Sequence, residues 1–559
     1  MDAYQRLIED LPARLPPGRS QRTSEKAIRE AATGLRLANP AEALGEVEDL
    51  LDQMQATTWS GGERVAALAH LRGPVESLCH GIEQRLSAES HPLPQASSER
   101  AAAAQRLEWK LACNDILGVH ELCAPTGKLP KFKSKLVASA IVSGLVHANQ
   151  ALIWAYRQYQ APPAGVWRLM HALYAFAGEL GVADQIAADP LSDGGPLSAR
   201  TAYARALLLA MSNPCRFSAR ELQDAWAIIQ CVAPQCGLGP AGSQGVSVDT
   251  DADAGPGYIA EDSIAENASM LAVDVRPVAR IFDERAALLP EGAEIVDLPW
   301  PGGGVFSTRV AFLRRLRAGW AMAERGHARL SASHVLDLVV GMHALHYALA
   351  GNIDFATFIR QIHGEAITIG RHEFATAWLA ASDVARPHTY RAEVLDQSEG
   401  GYRLRLQGSD GVRLRVGEVI GLAPVADPSE ERDWMVGVIR WLRLEGERQL
   451  LGVELLHRTA RAAGLRPVTS EGETLVPQRA VELPGRNGQD GLSLLMSHHL
   501  APNVNAAEVV LPALASDWST NAAIGIWRCD GADAIGSTCV RVTLVRDEPV
   551  EVDEPETVA

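Results

Sequence analysis

Two periods divide the chain. From the N-terminus to about residue 240, apolar residues recur at three- and four-residue steps. Leu136, Val137, Ala140, Ile141, Leu145, Ala148, Leu152, Ile153 and Tyr156 form one such stripe, the mark of an amphipathic helix. Helix starts are readable as well. Asn39-Pro40-Ala-Glu42 places an N-cap, a first-turn proline and an acid in order, and Ser218-Ala-Arg-Glu221 fits a capping box. From about residue 390 the period falls to two. Tyr390 to Leu395, Tyr402 to Leu406, Val412 to Leu422, Trp434 to Leu444 and Gln449 to Leu456 alternate as half-buried strands do. Glu508 to Pro512 and Thr538 to Val545 read as strands too.

These patterns predict a multidomain α+β protein. Residues 1–240 form an all-α helical array with a partner-binding face; it is similar in kind to TPR proteins, without a clean 34-residue self-repeat. Residues 241–257, rich in Gly, Ala and Asp, read as a flexible linker. Residues 258–324 form a mixed connecting region. A barrel of antiparallel strands occupies 325–470, with a helical insertion at about 341–388 that holds Met342 to Leu349 and Phe355 to Ile362. A small β-rich region covers 471–546, and an acidic tail, unstructured by composition, covers 547–559.

Candidate chemistry gathers at one turn. Asp396-Gln-Ser398-Glu-Gly400-Gly401 reads D-x-S-x-x-G between two strand-like runs. A short carboxylate there accepts paired N–H donors, and glycine lets a flat ligand approach the backbone closely. Upstream, Arg325-Gly-His-Ala-Arg329 reads R-x-x-x-R ahead of the strand-like His334 to Val340. In this order the two motifs resemble the PilZ domain, a small β-barrel whose family binds cyclic di-GMP. Arg440-Trp441 and Leu451-Gly-Val-Glu-Leu resemble that family's late strands. The resemblance implies that Arg325 and Arg329 clamp the nucleotide while Asp396, Ser398 and Gly401 wrap its other side. The motifs lie 67 positions apart (396 − 329), further than is usual in the family. Arg371, 25 before Asp396 (396 − 371), keeps only the first arginine, and Arg386 with Arg391 are five apart. Arg325 and Arg329 are preferred.

Composition narrows the remaining classes. A formal charge of −16 over 559 residues argues against a general binder of nucleic acid or anionic membrane. The N-terminus lacks the cationic and apolar stretches of a signal peptide, and no run reads as a transmembrane helix, so a cytoplasmic protein is expected. Eight dispersed cysteines without C-x-x-C read as buried thiols rather than a metal site. His343 and His346 read as core or surface residues, and Leu313 to Trp320 as a basic helix face answered by neighbouring acids. With no P-loop, G-x-S-x-G or H-E-x-x-H, neither catalytic residues nor a cofactor is expected. The resemblance implies a cyclic di-GMP receptor that passes its signal to a protein partner in motility, pilus or surface-attachment control. The alternative is an interaction scaffold whose PilZ-like barrel has lost its ligand.

Overall fold

A computed structural model describes residues 3–13, 24–86, 89–191, 195–240, 245–258, 269–290, 293–301, 303–320, 329–363, 386–406, 411–426, 432–446, 448–468, 478–484, 491–497, 506–510, 524–535 and 538–546. Arg325, Arg371 and the acidic tail lie outside them. The chain divides into two compact units, Met1–Glu324 and Arg325–Ala559.

The first unit is built on helices α1 (Ala3–Glu9), α2 (Glu25–Gly34), α3 (Pro40–Ala56), α4 (Gly61–Leu86), α5 (Gln95–Cys123), α6 (Ser134–Arg157), α7 (Val166–Glu179), α8 (Ala199–Met211) and α9 (Ala219–Val232). The α6 stripe was expected to face one side only. Instead α6 is buried nearly all round, because Trp154 packs into a cluster with α3, α4 and α5 while Ile141, Leu145 and Leu152 face a second cluster. It is also long and apolar enough to span a membrane, against the sequence expectation, and 83% of its most apolar stretch is buried inside the protein. The Ser218 capping box forms as read, its hydroxyl accepting from Glu221 N–H while the Glu221 carboxylate accepts from Ser218 N–H. Asn39 differs. Its side chain makes no cap and donates to the Glu42 carboxylate at 3.0 Å.

The 241–257 stretch is a correction. Two-residue strands β1 (Ala187–Ala188) and β2 (Pro196–Leu197) pair beside α8, and the chain then builds a sheet ordered β3-β6-β4-β5. Its strands are β3 (Gly237–Pro240), β4 (Val246–Asp249), β5 (Gly257–Tyr258) and β6 (Met270–Asp274), so β4 and β5 fall within the expected linker. Asp253 accepts from the N–H groups of Gly165, Trp167 and Arg168 at 2.6, 3.2 and 3.3 Å, serving the orphan donors at the start of α7. A Cβ on Gly255 would stand 2.8 Å from the Trp167 ring. The acidic composition that suggested solvation serves a helix end instead.

Helix α10 (Arg276–Ala287), hairpin β7 (Ile295–Pro299)–β8 (Val305–Arg309) and α11 (Val310–Trp320) complete this unit. The hairpin turn carries Gly303 and Gly304 and is closed by Trp300 N–H donating to Gly304 O at 3.0 Å. On α11, Arg315 pairs with Glu221, and Arg317 with Asp283 at 2.8 Å, so neighbouring acids answer the basic face.

In the second unit, strands β10 (Val335–Val340), β11 (Tyr390–Ser398), β12 (Gly401–Leu406), β13 (Val419–Pro424), β14 (Met435–Glu445) and β15 (Arg448–His457) close a barrel in the order β10-β13-β14-β15-β12-β11. The short β9 (Leu330–Ser331) adds to the outside of β11. Helices α12 (Gly341–Leu349) and α13 (Phe355–His363) occupy the expected insertion. Of the run Val412 to Leu422, only the part from Val419 enters a strand. A second closed barrel follows, β16 (Arg461–Val468), β17 (Gln478–Leu483), β18 (Gly491–Ser497), β19 (Ala506–Val510), β20 (Ile524–Ala534) and β21 (Cys539–Arg546). The expected boundary at 470 therefore falls too late, since β16 begins this barrel at Arg461.

Candidate functional site

The hairpin β11–β12 turns tightly through Glu399 and Gly400, so Asp396 and Ser398 belong to the strand rather than the turn. Gly401, the first residue of β12, is fixed by a close approach. Its backbone crosses β15 so closely that a Cβ would lie 1.9 Å from the Val453 carbonyl oxygen. Any other residue would push β12 and β15 apart, which gives Gly401 a packing reason of its own. Ser398 Oγ stands 3.5 Å from Gly401 O, at the outer limit of a hydrogen bond.

Asp396 is the centre of the cluster. Strand β9 runs antiparallel to β11, with Ser331 opposite Asp396 and Leu330 opposite Gln397. This pairing carries Arg329, the residue before β9, to the carboxylate: Arg329 Nη1 donates to Asp396 Oδ1 at 3.2 Å. A separation of 67 positions is thus closed by one two-residue strand. On the other side, Arg403 stands opposite Asp396 in the β12 register, with its Nη1 3.8 Å from Oδ2. The two arginines remain open to solvent, with side chains 55% and 43% exposed against 19% for the carboxylate. Exposed pairs of this kind contribute about 0–1 kcal/mol, so either guanidinium can turn from Asp396 to another anion at small cost.

Below the hairpin lies a further pair. Arg440 sits at a register shift in β14 and its Nε donates to Glu454 at 2.6 Å, while Glu454 lies opposite Gly401 across β15. Trp441 fills the space over Gly452, where a Cβ would meet its indole nitrogen at 1.8 Å. His346, one of the two insertion histidines, is a core residue. It is bonded to Ala463 O at 3.1 Å, and burial holds its pKa down at about 3. Among the described residues, no His, Cys, Asp and Glu group has the arrangement of a metal site.

Sequence reading missed Arg403. A signal existed: counting back from a two-residue turn pairs 398 with 401, 397 with 402 and 396 with 403, so the register alone puts an arginine across from Asp396.

Two family models match this chain. One, described as the N-terminal domain of the cyclic-di-GMP receptor FimW, covers residues 26–241. The other, the middle PilZ domain of that receptor, covers residues 246–388 and 371–462. Over residues 246–462 the chain is thus similar to the PilZ domain of that receptor. The cyclic-di-GMP receptor FimW of Pseudomonas aeruginosa is 25% identical over 511 residues, which span 82% of this chain and 81% of that protein. The PilZ match ends at residue 462, where the first barrel gives way to the second. It also reaches back to residue 246, so the family's domain takes in the strands and helices that precede Arg325.

Proposed function

We propose that this protein is a cytoplasmic cyclic di-GMP receptor whose nucleotide site is the β9 and β11–β12 edge of the PilZ barrel. The observation that carries the reading is the meeting of Arg329 and Asp396 across 67 positions. It is supported by the matched PilZ model and by the FimW relative, which is described as a receptor for this nucleotide.

Arg325 and Arg329 clamp the phosphates and guanine edges, while Asp396, Ser398 and Gly401 wrap the other side of the ligand. Guanidinium groups fork onto phosphate oxygens and onto the O6 and N7 acceptors of guanine, and they stack on purine faces. Arg403 adds a third guanidinium. In the free protein Asp396 holds Arg329 and Arg403 near the site; on binding it accepts from the guanine edge. Hydrogen bonds to charged groups contribute roughly 1.5–3 kcal/mol each, and micromolar affinity corresponds to about 8 kcal/mol. Three such contacts supply much of it.

The helical unit then offers a partner-binding surface, and the pathway served is motility, pilus or surface attachment. Eight free cysteines fit a reducing compartment. Isothermal titration of the purified full chain with cyclic di-GMP tests the proposal. Saturable heat at micromolar nucleotide is the expected result. No heat at tens of micromolar would favour the second reading, a scaffold in which the Arg329–Asp396 pair closes the edge.

A further inference from the structure

The two barrels of the second unit share one wiring. With strands counted from one to six within each barrel, the first pairs with the second and the fourth, and the fourth with the fifth. The fifth pairs with the sixth, the sixth with the third, and the third with the second. In the PilZ barrel these are β10–β11, β10–β13, β13–β14, β14–β15, β12–β15 and β11–β12. In the C-terminal barrel they are β16–β17, β16–β19, β19–β20, β20–β21, β18–β21 and β17–β18, again all antiparallel. A register shift recurs at the fifth strand against the sixth, at Ile439/Trp441 and at Cys529/Gly531. An up-and-down barrel would instead pair each strand with its sequence neighbours.

The ligand chemistry does not recur. The hairpin equivalent to β11–β12 reads Leu483-Pro-Gly-Arg-Asn-Gly-Gln-Asp-Gly491, without D-x-S-x-x-G. Near its end, Glu482 faces Leu494, where Asp396 faces Arg403 in the PilZ barrel. Only three residues separate β15 from β16, which leaves no length for a strand equivalent to β9 with an arginine ahead of it.

Instead the C-terminal barrel is built into the first. Val339, Leu345 and Trp434 share one buried cluster with Val481, Leu483 and Leu495. Helix α12 lies against both β13 and β16, and His346 Nε2 donates to Ala463 O across this junction. Arg440, which holds Glu454 beneath the hairpin, also donates through Nη1 to Ile535 O at 2.7 Å, in the β20–β21 turn. Thr538 Oγ1 donates to Gly417 O at 3.1 Å.

We infer that residues 461–546 are a second PilZ-type barrel that carries no nucleotide site and serves as a fixed brace for the first. Each chain then has one class of site. The site count rests on the proposed function; the brace does not.

Two measurements separate them. The first is titration of the full chain with cyclic di-GMP. The expected result is one class of site, with affinity reduced by more than about 100-fold in the Arg329→Ala/Asp396→Ala double variant, as the loss of two charge-assisted contacts implies. Saturable binding that persists in this variant and is removed by Arg461→Ala would place a site in the second barrel and overturn the inference. No binding by wild type would sink the proposed function and leave the brace to the second measurement. That measurement is hydrogen exchange of the full chain carrying Val481→Ala, with Val481→Asp as the stronger variant. The brace requires faster exchange in β13 and β14 as well as in β17 and β18. Faster exchange confined to β17 and β18 in both variants would show that the first barrel stands without it.

Discussion

Arg329 and Gly401 represent two kinds of constraint on a single edge. Arg329 is half exposed and its pair with Asp396 adds little to stability, while the proposed function gives it an anion to hold. Arg329→Ala should therefore lower cyclic di-GMP affinity by about 10- to 100-fold, the loss of one charge-assisted contact, while the melting temperature stays close to wild type. Arg329→Lys should recover only part of it, because an ammonium has no planar fork. Titration and a thermal melt on each variant read both quantities, and unchanged affinity in the alanine variant would remove Arg329 from the site. Gly401 is constrained by packing. Gly401→Ala puts a methyl against the Val453 carbonyl and should destabilise the barrel by about 1–3 kcal/mol, seen in denaturant titration.

Elements show where local pattern and tertiary context part. Ser218 caps α9 because every group involved lies within four residues. Asp253 works differently: it caps α7 from 86 positions away from Trp167. Asp253→Ala should cost the helical unit about 1 kcal/mol, within the 0.5–2 range of a lost N-cap. A urea midpoint equal to wild type would return residues 249–257 to the linker first expected. The central place of α6 is of the same kind, since its stripe reads as amphipathic until helices on two sides claim nearly all of its surface.

At the scale of the molecule, the junction of the two barrels carries its own pH dependence. Glu418 follows Gly417, whose carbonyl accepts from Thr538 of the second barrel, and its carboxylate accepts from Arg415 N–H at 3.0 Å. Burial pushes its pKa up to about 7. A carboxyl raised in the fold keeps its proton where the unfolded chain has released it. Stability from this group is thus present below the ordinary carboxylate pKa of about 4.3 and is lost as pH rises to about 7. His346 acts in the opposite sense. With its pKa held near 3, it contributes above the ordinary histidine value of about 6.5 and loses that contribution as pH falls. The two slopes overlap, so only a difference isolates either one. Glu418→Gln should gain stability over wild type as pH is raised from about 4.5 to 7 and hold that gain above it, in hydrogen exchange of β13 and β14. A constant difference across that range would show that Glu418 ionises freely in the fold.

The sequence by itself determined the helical first region, the strands of the first barrel, the helical insertion and the order of the two motifs. Each of these rests on interactions within a few residues, such as periodicity, caps and turns, which leave a mark on the local pattern. It also placed α11's arginines among neighbouring acids, because a basic stripe needs counter-charge wherever it packs. What tertiary structure alone decided is everything set by pairing over long separations. The meeting of Arg329 with Asp396 depends on β9 finding β11, and the close passage over Gly401 depends on β15 lying beside β12. The repeated barrel order shows the same limit. Strands of the two barrels differ in residues and in hairpin length, so alternation reveals that they are strands but not which neighbour each will take. Neighbour choice follows from closing the sheet and burying one shared core, and that energy belongs to no single segment.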